Sequence, residues 1–177
     1  MYDFIFNPNS TKEEFYEELL VQIQAIVKDQ RNWVTNLSNA SALIFHGLNT
    51  LKFFQEKPVN WSGFYVRDEQ DTKTLLLGPF QGKVACTQIK FGRGVCGAAA
   101  ASKETQVVRN VHEFPGHIVC DSNSLSEIVV PLVHDVTGEL LGVLDIDDTC
   151  LDAFDQRDKT GLEAVVKILV AGCEWNR

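Results

Sequence analysis

The sequence predicts one domain of the α/β class in its α+β form, built on a central, mainly antiparallel sheet of six strands. Three observations predict it. Two long segments with helical apolar periodicity come first, six short segments rich in β-branched, aromatic or aliphatic residues follow, and one helical segment closes the chain. Many links between the strand segments are too short for crossover helices, so neighbouring strands must reverse direction. The length of 177 residues matches one ordinary domain with one core. The expected organisation is a single domain over 1–177, with a helical region at about 10–55 and the sheet and site region at about 60–148.

The elements follow in order. Ser10 and Thr11 with Glu13 and Glu14 form a capping box, after which Phe15, Leu19, Leu20, Ile23, Ile26 and Val27 recur at helical spacing and predict a helix over about 12–28. Trp33, Leu37, Ala40, Leu43, Ile44, Leu48 and Leu51 keep the same period, and Pro58 interrupts it. Strands are expected at Trp61 to Val66, Thr74 to Leu77, Gln88 to Phe91, Thr105 to Val108, Ser126 to Val133 and Glu139 to Ile146. Asp135-Val136-Thr137-Gly138 reads as the hairpin turn between the last two. Phe91 to Gly97, followed by Ala98 to Ala101, reads as a glycine-rich turn feeding a short helix. Val111 to Leu125 has no periodicity and reads as a long functional loop, and a last helix is expected near Asp158 to Cys173.

Composition removes several function classes. A net charge of -8 and a pI near 4.9 give no overall attraction to phosphate backbones or anionic lipid, so nucleic acid and membrane partners are not expected. No apolar run reaches the ~18 residues of a membrane span, and Met1 to Phe6 lack the pattern of a secretory signal, so a cytoplasmic protein is expected. The five cysteines, Cys86, Cys96, Cys120, Cys150 and Cys173, are odd in number and widely spaced. In a reducing compartment they start as free thiols. None forms a C-x-x-C pair, and a zinc site would have to gather Cys86, Cys96, Cys120 and His117 from distant segments. The expectation is no metal and no organic cofactor.

Gly92-x-Gly94-x-x-Gly97 does not continue into a βαβ unit, which argues against a dinucleotide site. It does place Cys96 near a helix N-terminus, where backbone N–H groups favour a thiolate. Cys120 lies in the irregular loop beside His117, an imidazole suited to lowering a thiol pKa or managing protons. Cys150 and Cys173 read as bystanders. Asp145 and Asp147 are two apart in a strand, so both face one side while Leu144 and Ile146 face the other, and the hairpin would bring Glu127 across from them. The competing explanation is that Asp147 and Asp148 cap a turn and Glu127 is solvated. Trp61, Phe64 and Tyr65 suit either the core or a pocket wall.

The runs Asn60 to Tyr65 (NWSGFY) and Leu77 to Cys86 (LGPFQGKVAC) closely resemble the GAF-domain free methionine-R-sulfoxide reductases. So do Gly92 to Gly97 around Cys96, Phe114 to Ile118 with Cys120, Ser126 to Pro131, and Gly142 to Asp147, and the resemblance spans about residues 33–148. It implies a GAF fold with helices on both sides of the sheet and a small-molecule pocket roofed by loops. It also implies three redox cysteines, matched by Cys86, Cys96 and Cys120, which reduce free methionine-R-sulfoxide through a sulfenic acid and a disulfide re-reduced by thioredoxin.

Such a substrate carries an ammonium, a carboxylate and an S-methyl group. Glu127, Asp145 and Asp147 would bind the ammonium and polarise the sulfoxide, one through a pKa raised by its acidic neighbours, while Trp61 and Tyr65 enclose the methyl group. Cys120 is expected as nucleophile because its loop is closest in sequence to Glu127, with Cys86 or Cys96 resolving; exchanged roles for Cys96 and Cys120 stay open. The family pattern is loose at the N-terminal arm and after Asp148, which leaves a homodimer open. The rival reading is a non-enzymatic GAF sensor, disfavoured because 177 residues leave no room for an output domain.

Overall fold

The computed structural model describes residues 5–56 and 58–175. Residues 1–4, the start of the expected domain and of the Met1 to Phe6 stretch expected to carry no secretory signal, lie outside them, as do 57 and the last two. The first helix, α1 (Lys12–Val27), is fixed by the predicted capping box: Thr11 Oγ1 accepts from Glu14 N at 3.2 Å and Glu14 Oε2 accepts from Thr11 N at 2.9 Å. Asn32 caps α2 (Trp33–Thr50) by accepting from Thr35 N at 3.0 Å. This helix stops before Pro58 is reached. Leu51 turns extended, its N–H still bonded to Leu48 O, and a short helix α3 (Lys52–Gln55) follows.

Six strands form one sheet: β1 (Val59–Arg67), β2 (Thr74–Gly82), β3 (Gln88–Lys90), β4 (Gln106–Val108), β5 (Ser126–Val133) and β6 (Leu140–Asp148). The order is β3-β2-β1-β6-β5-β4 and every pair is antiparallel. Between β3 and β4 lies α4 (Gly94–Ser102), and α5 (Gln156–Gly172) ends the fold. Three strands run further than the sequence predicts, β1 by a residue or two at each end. The strand β2 continues through Gly78 and Pro79 because a register shift between Gly63 and Tyr65 lets the pair pass without breaking the ladder. The strand β6 extends to Asp148, so Asp147 and Asp148 are ladder residues paired with β5, and Asp148 also caps the following turn, its Oδ1 accepting from Cys150 N at 2.7 Å.

Strand alternation divides the core. Phe64, Val66, Ile128, Val130, Leu144 and Ile146 face a large cluster with α1, α2 and α5. Trp61, Tyr65, Val129 and Val143 face a smaller cluster with α4, so helices cover both sides of the sheet. At the far side from the site, Lys12 is buried: its Nζ donates to Ala153 O at 3.0 Å and pairs with Asp158, whose other oxygen accepts from Tyr16 at 2.9 Å. That network ties α1 to the start of α5. Among the described residues no helix is long and apolar enough to cross a membrane.

Candidate active site

The smaller core carries a buried acidic cluster. Asp145 and Asp147 share one face of β6, and Glu127 on β5 is the register partner of Asp147. On the other side β1 places Gly63 opposite Asp145 and Trp61 opposite Asp147. Glu127 and Asp145 are each only 6% exposed, and among the described residues no lysine or arginine is paired with any of the three. The nearest base is His117, whose Nε2 lies 3.9 Å from Glu127 Oε2. Asp145 Oδ1 is buried with no hydrogen-bond partner.

These surroundings disfavour charge. Burial, followed by the charges of Asp145 and Asp147, raises the Glu127 carboxyl well above the usual range. Burial and then the charge of Asp145 do the same to Asp147, and burial pushes Asp145 up to about 6. The Tyr65 phenol is also raised, by burial first and then by Asp145. A cation entering the pocket would relieve that unbalanced charge.

Cys96 lies in the first turn of α4, where the sequence places it, but its thiol is not activated there. Burial, then the charges of Asp145 and Glu127, pushes its pKa well above the ordinary thiol value. Its Sγ lies 3.9 Å from Glu127 Oε1, as donor to that carboxylate. The glycines preceding it serve backbone geometry: Gly92 and Gly94 have φ of +78° and +62°. Gly97 leaves no room for a Cβ against Lys90 O, and its own carbonyl accepts from Gly92 N at 2.7 Å.

Cys86 and Cys120 form a disulfide, with Cα atoms 5.8 Å apart. Cys120 is exposed and Cys86 half-buried, while Cys96, Cys150 and Cys173 are free thiols. Two of the four ligands in the zinc alternative are therefore spent on the disulfide. Burial and then the charge of His112 lower the His117 pKa below its ordinary value, which works against a positive charge beside Cys120. Trp61 stacks on Tyr65 with ring centroids 5.8 Å apart and on Phe80 at 5.3 Å; Trp61 Nε1 donates to Lys83 O at 3.2 Å.

Two small adjoining cavities share Cys120, Asp121, Asp145 and Asp147. One, of about 30 Å³, is also lined by Arg93, Cys96, His117 and Glu127, and the other, of about 10 Å³, by Trp61, Tyr65 and Ala85. Sequence reasoning missed Arg93, Asp121, Ser124 and Asn60. Asn60 Nδ2 donates to Ser124 Oγ at 3.0 Å and to Asp121 Oδ2 at 3.3 Å, which ties the Cys120 loop to β1. The Asp121 carboxyl is held low, first by the Asn123 backbone N–H. Asp121 and Ser124 carry only their place in the aperiodic loop as a signal, whereas Arg93 lies in the glycine-rich turn and Asn60 opens the Asn60–Tyr65 run.

Residues 13–171 match the family model of the GAF domain. The free methionine-R-sulfoxide reductase of Saccharomyces cerevisiae is 48% identical over 168 residues, covering 95% of this chain and 91% of that protein. The free methionine-R-sulfoxide reductase of Escherichia coli is 43% identical over 155 residues, covering 88% and 86%. Among solved structures, the free methionine-R-sulfoxide reductase of Neisseria meningitidis in complex with its substrate superposes with a TM-score of 0.88 at 42% identity, over 100% of this chain and 98% of that one. The GAF fold implied by the resemblance thus meets relatives matched along almost their whole length, and the chain belongs to the GAF-domain free methionine-R-sulfoxide reductase family.

Proposed function

We propose that the protein reduces free methionine-R-sulfoxide to methionine with Cys120 as nucleophile and Cys86 as resolving thiol, in the cytoplasm and with thioredoxin as reductant. The observation that carries the reading is that Cys120, half of a disulfide, lines the same pocket as the buried acidic cluster. The Cys120 thiolate attacks the sulfoxide sulfur while a protonated carboxyl from Glu127 or Asp145 donates to the oxygen. The oxygen passes to Cys120 as a sulfenic acid, and methionine departs reduced by two electrons. The Cys86 thiol then attacks the Cys120 sulfur and water leaves, which forms the disulfide.

The cluster suits a zwitterion. Asp147 and its neighbours pair with the substrate ammonium, while Arg93 and the N-terminal end of α4 offer positive charge to the carboxylate. The Trp61–Tyr65 stack encloses the S-methyl group. A peptide-bound methionine sulfoxide has a neutral amide in place of the ammonium, which leaves buried carboxylates unpaired and makes it a poor substrate. With the disulfide closed, the larger cavity of about 30 Å³ holds little more than one water, so methionine leaves before the site closes. Val84, 90% exposed, and Val119, 58% exposed, flank the two cysteines in sequence and give the reductant an apolar rim beside Cys120.

The deciding experiment follows NADPH consumption with thioredoxin and thioredoxin reductase, with free R, free S and N-acetylated R forms offered separately. Turnover of the free R form alone is expected. Equal turnover of the acetylated form would remove the role of the carboxylates, and silence with all three would favour a ligand-binding sensor.

A further inference from the structure

We propose that Cys96, Glu127 and Asp145 form a binding site for a thiophilic divalent cation of the zinc class, and that this cation competes with the substrate ammonium. One sulfur and one oxygen from each carboxylate lie within 4.8 Å of one another, and all three residues are buried. They come from α4, β5 and β6, so the donors are held by three packed elements rather than by one flexible loop. A second observation points to a ligand: Asp145, only 6% exposed, has an oxygen with no hydrogen-bond partner while its side chain lines the cavity.

The donor set selects the metal class. Zinc accepts thiolate at ~2.3 Å and carboxylate at ~2.0–2.2 Å in a tetrahedron, which puts neighbouring ligand atoms roughly 3.5 Å apart. The trio reaches that spacing by closing in by little more than about 1 Å. Magnesium and calcium prefer all-oxygen shells, so the sulfur disfavours them. His117 Nε2 is 3.9 Å from Glu127 Oε2 but is not one of the three grouped donors, which leaves the fourth position to water. On binding, the Cys96 proton passes to solvent and the sulfur enters as thiolate. None of these ligands belongs to the Cys86–Cys120 disulfide, so the site exists in the oxidised protein.

The test uses the full chain with its disulfide intact. Cobalt titration is expected to give a sulfur-to-cobalt charge-transfer band, and dialysis to give one zinc per chain. Cys96→Ser should abolish the band and weaken zinc at least about tenfold, and Asp145→Asn should weaken it comparably. Should Cys96→Ser fail to fold by circular dichroism, Asp145→Asn carries the test. In Cys86→Ser/Cys120→Ser, which cannot form the disulfide, saturating free methionine-R-sulfoxide should raise the apparent Kd for zinc. The proposal is overturned by a missing thiolate band, by a band retained in Cys96→Ser, by zinc affinity retained in Asp145→Asn, by uptake that appears only after reduction, or by indifference to methionine sulfoxide. The competition arm rests on the proposed function, whereas the metal-uptake arms are measured without substrate or turnover, so failure of the site and failure of the reductase reading are distinguishable.

Discussion

Removing the charge of Asp145 should stabilise the unliganded protein while destroying its activity. Burial pushes this carboxyl from 3.8 up to about 6. A folded-state pKa above the unfolded one means that the stability contribution is fully present below about pH 4 and is lost as pH rises through 6. Two pKa units correspond to about 3 kcal/mol, the cost of holding the ionised group in the fold at pH 8. Asp145→Asn keeps the shape of the neutral acid and avoids that cost. At ~2–4 °C per kcal/mol for a chain of this size, its Tm at pH 8 should exceed the wild-type value by about 6–12 °C, and the difference should shrink toward zero near pH 4. Thermal melts by circular dichroism from pH 4 to 8 measure this directly. At the same time kcat/KM should fall by about a hundredfold or more, because a partner of the substrate is gone. A variant no more stable than wild type at pH 8, or a difference that does not grow with pH, would refute the reasoning.

Further outcomes follow from other contacts. Cys120→Ser should abolish single-turnover methionine release, whereas Cys86→Ser should release one equivalent and accumulate a dimedone-reactive sulfenic acid seen by mass spectrometry; full single turnover by Cys120→Ser would reverse the assignment. Lys12→Met leaves buried Asp158 without its cation and should cost about 3–5 kcal/mol in urea unfolding, far more than an exposed lysine would. Val84→Asp with Val119→Asp should raise the KM for thioredoxin, and an equal loss with dithiothreitol as reductant would show that the change reached the chemistry instead of the docking rim.

The site face was legible because a strand has a period of exactly two residues. Asp145 and Asp147 against Leu144 and Ile146 fixes which side is the core, and the short Asp135–Gly138 connection forces Glu127 beside them. Helix starts were equally legible where a cap recurs in sequence, as at Thr11 and Glu14. The misses share a different cause: they depend on partners distant in sequence. Gly78-Pro79 looks like a strand end until a shift in β1 absorbs it. Nothing in the sequence marks Lys12 for burial, yet Phe53, Phe54 and Asp158 arrive from elsewhere to bury it. Asn60, Asp121 and Ser124 meet only because the aperiodic loop folds back on β1.

Cys96 shows how magnitudes decide between two valid local rules. A helix N-terminus favours a thiolate by ~0.3–1 kcal/mol near a surface, and up to ~2 kcal/mol in the best partly buried geometries. Full burial shifts a thiol by as much as ~3–5 pKa units in the other direction, or roughly 4–7 kcal/mol. Asp145 and Glu127 add to the burial effect, so the thiol form prevails by a wide margin. The sequence contains the helix start but not the depth of the residue, which depends on β5 and β6 closing over α4. Cys120 is the reverse case, with no helix start beside it and with its sulfur, half of the disulfide, on an exposed loop residue. On the proposed reading exposure favours Cys120 over Cys96 as the attacking sulfur, and burial among carboxylates keeps Cys96 a proton donor until something more strongly cationic than a proton displaces it.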